Sequence, residues 1–138
     1  MMKVQGACHC GAIRYEAEVD PAMTTICHCT DCQTLSGSAF RTVVPAPKAS
    51  FRLLSGKPKA YIKTADSGNQ RVQAFCADCG SPIYSSATTE DFPAYSLRVG
   101  LLKQRGQLRP KIEVFRRSAL DWNPDLEGTQ RFQARAPG

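Results

Sequence analysis

Residues 8–19 read Cys8-His9-Cys10-Gly11-Ala12-Ile13-Arg14-Tyr15-Glu16-Ala17-Glu18-Val19. The first third is a pair of thiols closed by a glycine. The remainder alternates apolar Ile13, Tyr15, Ala17 and Val19 with polar Arg14, Glu16 and Glu18. A period of two is the signature of a half-buried strand. A thiol turn that feeds directly into a strand predicts a β domain held by metal near its start.

That turn has a counterpart in Cys76-Ala77-Asp78-Cys79-Gly80, which also ends in glycine. In a metal knuckle the chain folds tightly around the ion. Residues after the second cysteine aim N–H groups at sulfur, and glycine supplies the positive φ this requires. Two knuckles give four thiolates, a complete tetrahedral shell for Zn²⁺ on Cys8, Cys10, Cys76 and Cys79. A structural zinc contributes on the order of 10 kcal/mol or more of apparent binding free energy to folding.

The remaining cysteines lie in Cys27-His28-Cys29-Thr30-Asp31-Cys32, with no glycine directly after the last. Thr30 and Gln33 match a capping box, predicting one short helix from Thr30 that Gly37 ends. Cys32 would then lie in a helical first turn, where the N–H groups and dipole favour thiolate. Three ligands leave a tetrahedral position vacant, the arrangement of catalytic zinc. Two partitions stay open: Cys27, Cys29 and Cys32 with one other cysteine could form the closed set, or His28 could close the second. Two Zn²⁺ per chain are expected, the three-ligand site losing metal more readily and so being partly occupied in preparations.

Seven cysteines cannot pair completely. No signal-like apolar run follows Met1, and no stretch approaches the roughly 18 apolar residues of a membrane span. A cytoplasmic protein is therefore expected, where reducing conditions disfavour disulfides and favour metal. The formal net charge of +6 counts neutral thiols. Seven bound thiolates and two Zn²⁺ would lower it to about +3, so neither a nucleic-acid nor a membrane partner is expected. The sequence specifies no oligomeric state.

The 138 residues suit a single domain, with a core over about 4–125 and a polar tail over 126–138. Strands are expected at Phe40–Val44, ending at Pro45, at Phe51–Leu54, and around Tyr95, Leu97 and Val99. Ile112 and Val114 mark another. Residues 60–75 read as a hairpin turning at Asp66-Ser67-Gly68-Asn69. Trp122 is expected to anchor the C-terminal segment in the core.

The cysteine order resembles the glutathione-dependent formaldehyde-activating enzyme family, also called the Gfa-like or CENP-V family. The resemblance rests on Cys8-His9-Cys10-Gly11-Ala12-Ile13-Arg14-Tyr15, Cys27-x-Cys29-x-x-Cys32, Ser36-Gly37-Ser38-Ala39-Phe40 and Phe75-Cys76-x-x-Cys79-Gly80-Ser81. It implies a mostly β, Mss4-like β-tent fold of antiparallel sheets. It implies structural zinc on Cys8, Cys10, Cys76 and Cys79, and catalytic zinc on Cys27, Cys29 and Cys32. The implied activity is a carbon–sulfur lyase joining glutathione and formaldehyde into S-hydroxymethylglutathione. His28, Ser36, Gly37, Ser38 and Phe40 are candidate substrate contacts. Arg41, Arg98 or Arg109 could meet the carboxylates of glutathione. Where many members carry a His-Ile pair late in the chain, this one has Lys111-Ile112.

Two other classes compete. A zinc-stabilised binding module would need only the four-cysteine set, and the three-cysteine cluster counts against it. A thiol redox protein could use Cys29-x-x-Cys32, but Cys27 beside that pair favours metal.

Overall fold

The computed structural model describes residues 1–123 and 128–135. Its strands are β1 (Met2–Ala7), β2 (Arg14–Val19), β3 (Thr25–Cys27), β4 (Arg41–Pro47), β5 (Arg52–Ser55), β6 (Lys59–Thr64), β7 (Gln70–Phe75), β8 (Pro82–Ala87), β9 (Ala94–Arg98) and β10 (Ile112–Val114). One α-helix, α1 (Thr30–Ser36), follows the second cysteine cluster. Short 3₁₀ turns fill the connections.

The alternation over 14–19 is realised as expected. Tyr15 and Val19 are fully buried and Ala17 nearly so. β2 lies between β1 and β5 in a three-stranded antiparallel sheet. The larger sheet has the order β10-β3-β4-β9-β8-β7-β6. The core lies between the two. Val4, Tyr15, Ala17 and Val19 meet Val44, Ala46 and Leu97. Burying one such side chain is worth about 1.5–3 kcal/mol. Phe51 stacks with Tyr15 and tilts against Tyr95, at centroid distances of 5.4 and 4.4 Å, linking the sheets through aromatic rings.

Several expectations need correction. β10 runs parallel to β3, so the larger sheet is mixed. β4 does not stop at Pro45 but continues through Pro47. Beyond the Thr25–Val43 pair, β9 is its only sheet neighbour among the described residues, and proline is tolerated where one side of a strand is unpaired. Helix α1 is capped by Cys29, whose sulfur accepts from the Cys32 N–H at 3.3 Å, and not by Thr30. Gly37 does end it, in the left-handed region at φ 63°. Trp122 is 55% exposed and anchors no core. It stands in a turn after the last 3₁₀ segment, past the strands that enclose apolar volume. Residues 124–127 and 136–138, which take in the end of the expected core and part of the polar tail, lie outside the described residues; 128–135 form no helix or strand. Among the described residues no helix is long and apolar enough to cross a membrane.

The larger sheet positions the site because its two faces differ. Val44, Ala74, Tyr84 and Leu97 share the core face. The register puts Cys27, Arg41, Val43, Arg98, Ser96, Ser85, Gln73 and Arg71 on the opposite face. A sheet face away from the core is ordinarily solvated. Here Arg41 and Arg98 are each only 7% exposed.

Candidate functional site

The two knuckles meet in space. The sulfurs of Cys8, Cys10, Cys76 and Cys79 all lie within 4.8 Å of one another. Cys8 and Cys10 are 3.6 Å apart and Cys10 and Cys76 3.8 Å apart, sulfur to sulfur. A tetrahedron built on Zn–S bonds of about 2.3 Å has edges of about 3.8 Å, so this set fits zinc. The knuckles close alike. Gly11 N–H donates to Cys8 O and Gly80 N–H to Cys76 O, with φ of 83° and 80° at the two glycines. Ile13 N–H donates to the Cys8 sulfur at 3.2 Å. Ser81 Oγ lies 3.2 Å from the Cys79 sulfur, and that contact leads in lowering the Cys79 thiol to about 5.

The second group brings Cys27, Cys29 and Cys32 together, again with sulfurs within 4.8 Å. Cys27 ends β3, Cys29 caps the helix and Cys32 lies in its first turn. The connecting loop is pinned from both sides. His28 N–H donates to Val114 O of β10 at 3.1 Å, and the Gln33 side-chain amide donates to His28 O at 2.8 Å and Ser118 O at 3.0 Å. Within the group, the Cys27 thiol is pushed well up, through Cys32 and burial. Cys32 falls to about 5 because Cys27 hydrogen-bonds its sulfur and Arg41 places positive charge beside it, burial opposing both.

All three cysteines line a cavity of about 550 Å³ whose floor is the polar face of the larger sheet. Arg41, Arg98 and Arg71 rise from that floor. The walls come from helix α1, the 65–67 turn of the β6–β7 hairpin, and 115–118. Phe115 on that wall holds a left-handed φ of 57°, a conformation that bulky side chains rarely adopt. Lys63 on β6 pairs with Asp31 of α1 at 2.8 Å, joining hairpin to helix across the cavity.

The arginines are poorly compensated. Arg98 donates to Gln73 Oε1 at 2.8 Å, and Arg71 to Ser85 Oγ at 3.2 Å. The Nε atoms of Arg41 and Arg98 are buried without a partner. Among the described residues, no carboxylate pairs with Arg41, Arg71 or Arg98. Burial, with the like charge of Arg41, pulls Arg98 down to about 9.

The other candidate contacts lie elsewhere. His28 is buried, only 1% exposed. Its Nε2 lies 2.9 Å from Glu113 Oε1, and its ring meets Phe40 edge-on at 5.9 Å. His28, Phe40, Arg109 and Lys111 line a separate cavity. Ser36 Oγ donates to Gln33 O, Gly37 is the helix cap and Ser38 N–H donates to Gln33 O. None of the three lines the arginine cavity. Of the three arginines weighed from sequence, the cavity includes Arg41 and Arg98 and leaves out Arg109. Arg71, Arg117 and Lys63 were not anticipated. The available signal was period two: Arg71 and Gln73 alternate with Val72 and buried Ala74 along β7.

The family model described as glutathione-dependent formaldehyde-activating enzyme matches residues 3–118. Among solved structures, the crystal structure of a Rhodobacter sphaeroides protein is similar, with a TM-score of 0.59 and 21% sequence identity. The match covers 81% of this chain and 99% of that one, and at this identity it speaks for the fold.

Proposed function

The chain belongs to the glutathione-dependent formaldehyde-activating enzyme family, and from that premise we propose that it is a zinc-dependent carbon–sulfur lyase acting on a thiol and a small aldehyde. The observation that carries this is the unequal pair of cysteine groups. One has four sulfurs; the other has three, set in the wall of a cavity large enough for a tripeptide.

Cys8, Cys10, Cys76 and Cys79 would hold a structural zinc that ties the start of β2 to the end of β7. Cys27, Cys29 and Cys32 would hold the catalytic one. When bound by three thiolates, zinc is a weaker Lewis acid than with neutral ligands and suits an incoming thiol, which it would take as thiolate. Arg41 and Arg98 surround the sulfurs with positive charge and favour an anionic ligand over a neutral one. In the synthetic direction, thiolate sulfur attacks the carbonyl carbon, a C–S bond forms, and the former carbonyl oxygen takes up one proton. Buried guanidinium groups near that oxygen would stabilise its developing charge. By family membership, glutathione and formaldehyde are the first substrates to test.

The deciding experiment is an optical titration of the cobalt(II)-substituted protein. Two cobalt ions per chain are expected, with one d–d spectrum changing as glutathione is added, followed by formaldehyde-dependent loss of free thiol. Two ions with no spectral response to glutathione would remove glutathione from this site.

A further inference from the structure

The two flanks of Cys27 differ in chemistry. Arg41 on β4 stands opposite it on one side and Val114 on β10 on the other. Paired residues of neighbouring strands share a face, and all three line the same cavity. Most charged groups of that cavity stand away from β10: Arg41, Arg98, Arg71 and Lys63 on the sheet, Asp31 on α1 and Asp66 in the hairpin turn. Past β10 the wall continues with Phe115 and Arg117, and the Arg117 guanidinium lies over the Phe115 ring, 5.4 Å from its centroid. Val114 and Phe115 thus form an apolar lip beside the three sulfurs.

Phe115 is the one non-glycine residue with positive φ among the described residues. Bulky side chains avoid this region, and glycine would hold it without strain. Burial of the ring does little to offset the strain, since Phe115 is 49% exposed. The kink is held by its neighbours. His28 N–H donates to Val114 O at 3.1 Å, Ser118 N–H to Phe115 O at 3.0 Å, and the Gln33 amide to Ser118 O at 3.0 Å. Strained residues persist where their surroundings over-determine them, and they cluster at ligand sites.

In the addition described above, sulfur bonds to the carbonyl carbon, the carbonyl π pair moves to oxygen, and oxygen takes the proton the thiol gave up. The new tetrahedral carbon carries sulfur, oxygen, hydrogen and whatever substituent the aldehyde brought. Oxygen gains charge and belongs on the Arg41 flank. The substituent is left the Val114 flank.

We propose that Phe115, with Val114 beside it, is a specificity-determining residue that seats an apolar substituent on the aldehyde carbon. Small alkyl aldehydes would then be better partners than formaldehyde, which leaves the lip empty. This deepens the lyase assignment above and rests on it.

The test measures adduct exchange with glutathione by NMR for formaldehyde and for propanal, each rate divided by its uncatalysed value. The wild-type acceleration should be at least about tenfold greater for propanal, the discrimination an apolar pocket makes on one added methylene. Phe115→Gly should bring that ratio to within about threefold and melt no lower than wild type, because the strain leaves with the ring. Phe115→Leu should restore part of the ratio. Equal or greater acceleration of formaldehyde in wild type, or a ratio indifferent to Phe115→Gly, overturns the proposal. Should neither aldehyde be accelerated, the lyase reading falls and calorimetry decides the lip alone. S-methylglutathione and S-propylglutathione carry the carbon chains of the two adducts on a sulfur that cannot react. If the propyl compound then binds at least about tenfold tighter to wild type, and not to Phe115→Gly, the apolar seat stands without the chemistry. Equal binding of the two, or binding of neither, removes the seat as well.

Discussion

Cys27 on β3 stands directly opposite Arg41 on β4. This one cross-strand pair joins the thiol group to the arginine floor, and it has a titration consequence. In the metal-free protein Cys32 is lowered to about 5, first by Cys27 and then by the charge of Arg41. An adjacent positive charge favours the thiolate. Removing it in Arg41→Gln should therefore raise the Cys32 midpoint, by about one unit or more. Iodoacetamide alkylation against pH, read at the Cys32 peptide, measures it. An unmoved midpoint would mean that Arg41 does not act on sulfur.

The two cysteine groups should fail differently. Cys76→Ser opens the four-sulfur set that joins β2 to β7 across the chain and should unfold the domain. Cys29→Ser retains a side-chain oxygen that can still cap α1, so it should spare the fold and abolish activity. Thermal melting with and without chelator compares them. Equal loss of folding in both variants contradicts the division of roles.

Much of this was legible in the cysteines and the alternation. Ile13, Tyr15, Ala17 and Val19 could be assigned to a core face because strands alternate, and all four are buried. The grouping of the seven cysteines into a set of four and a set of three followed from spacing and from the glycines at 11 and 80. The arginine floor was not legible, although the same period of two marks it. Arg41 and Arg98 alternate with buried Val44 and Leu97, which normally sends a polar residue to solvent. What shelters them is the wall made by α1, the hairpin turn and 115–118, and that is tertiary packing. The parallel pairing of β10 with β3 joins segments 85 residues apart or more, and short strands such as Thr25–Cys27 carry too few residues to show a period.

Two glycines with positive φ offer a contrast in stability. At Gly56, φ is 76°, and an added Cβ would come within 2.4 Å of Ala12 O and 2.9 Å of Ile13 Cγ1. Those atoms belong to the chain leaving the first knuckle. At Gly68 φ is 87°, but nothing lies within 4 Å. Backbone strain alone costs about 1–3 kcal/mol. Gly68→Ala should lose about that much and Gly56→Ala clearly more, since backbone must also shift. Urea denaturation of both variants checks this; equal losses would show that the Ala12–Ile13 segment yields freely.

The Gln33 side chain is placed to support the three-sulfur group without touching it. Its amide donates both to the carbonyl of His28, which lies between Cys27 and Cys29, and to Ser118 O. It thereby fixes the peptide that orients two sulfurs and fastens the cavity wall behind them. Groups that orient metal ligands in this way typically contribute about 10–100-fold to metal affinity. Gln33→Ala should lower cobalt affinity at the three-cysteine group by at least about tenfold, while the four-cysteine group, which Gln33 does not reach, keeps its own. Competitive chelator titration resolves the two, because the groups should differ in d–d intensity and in order of release. Parallel weakening at both groups would mean that Gln33 serves general stability, and intact affinity at both would mean that the cysteine loop holds its shape unaided.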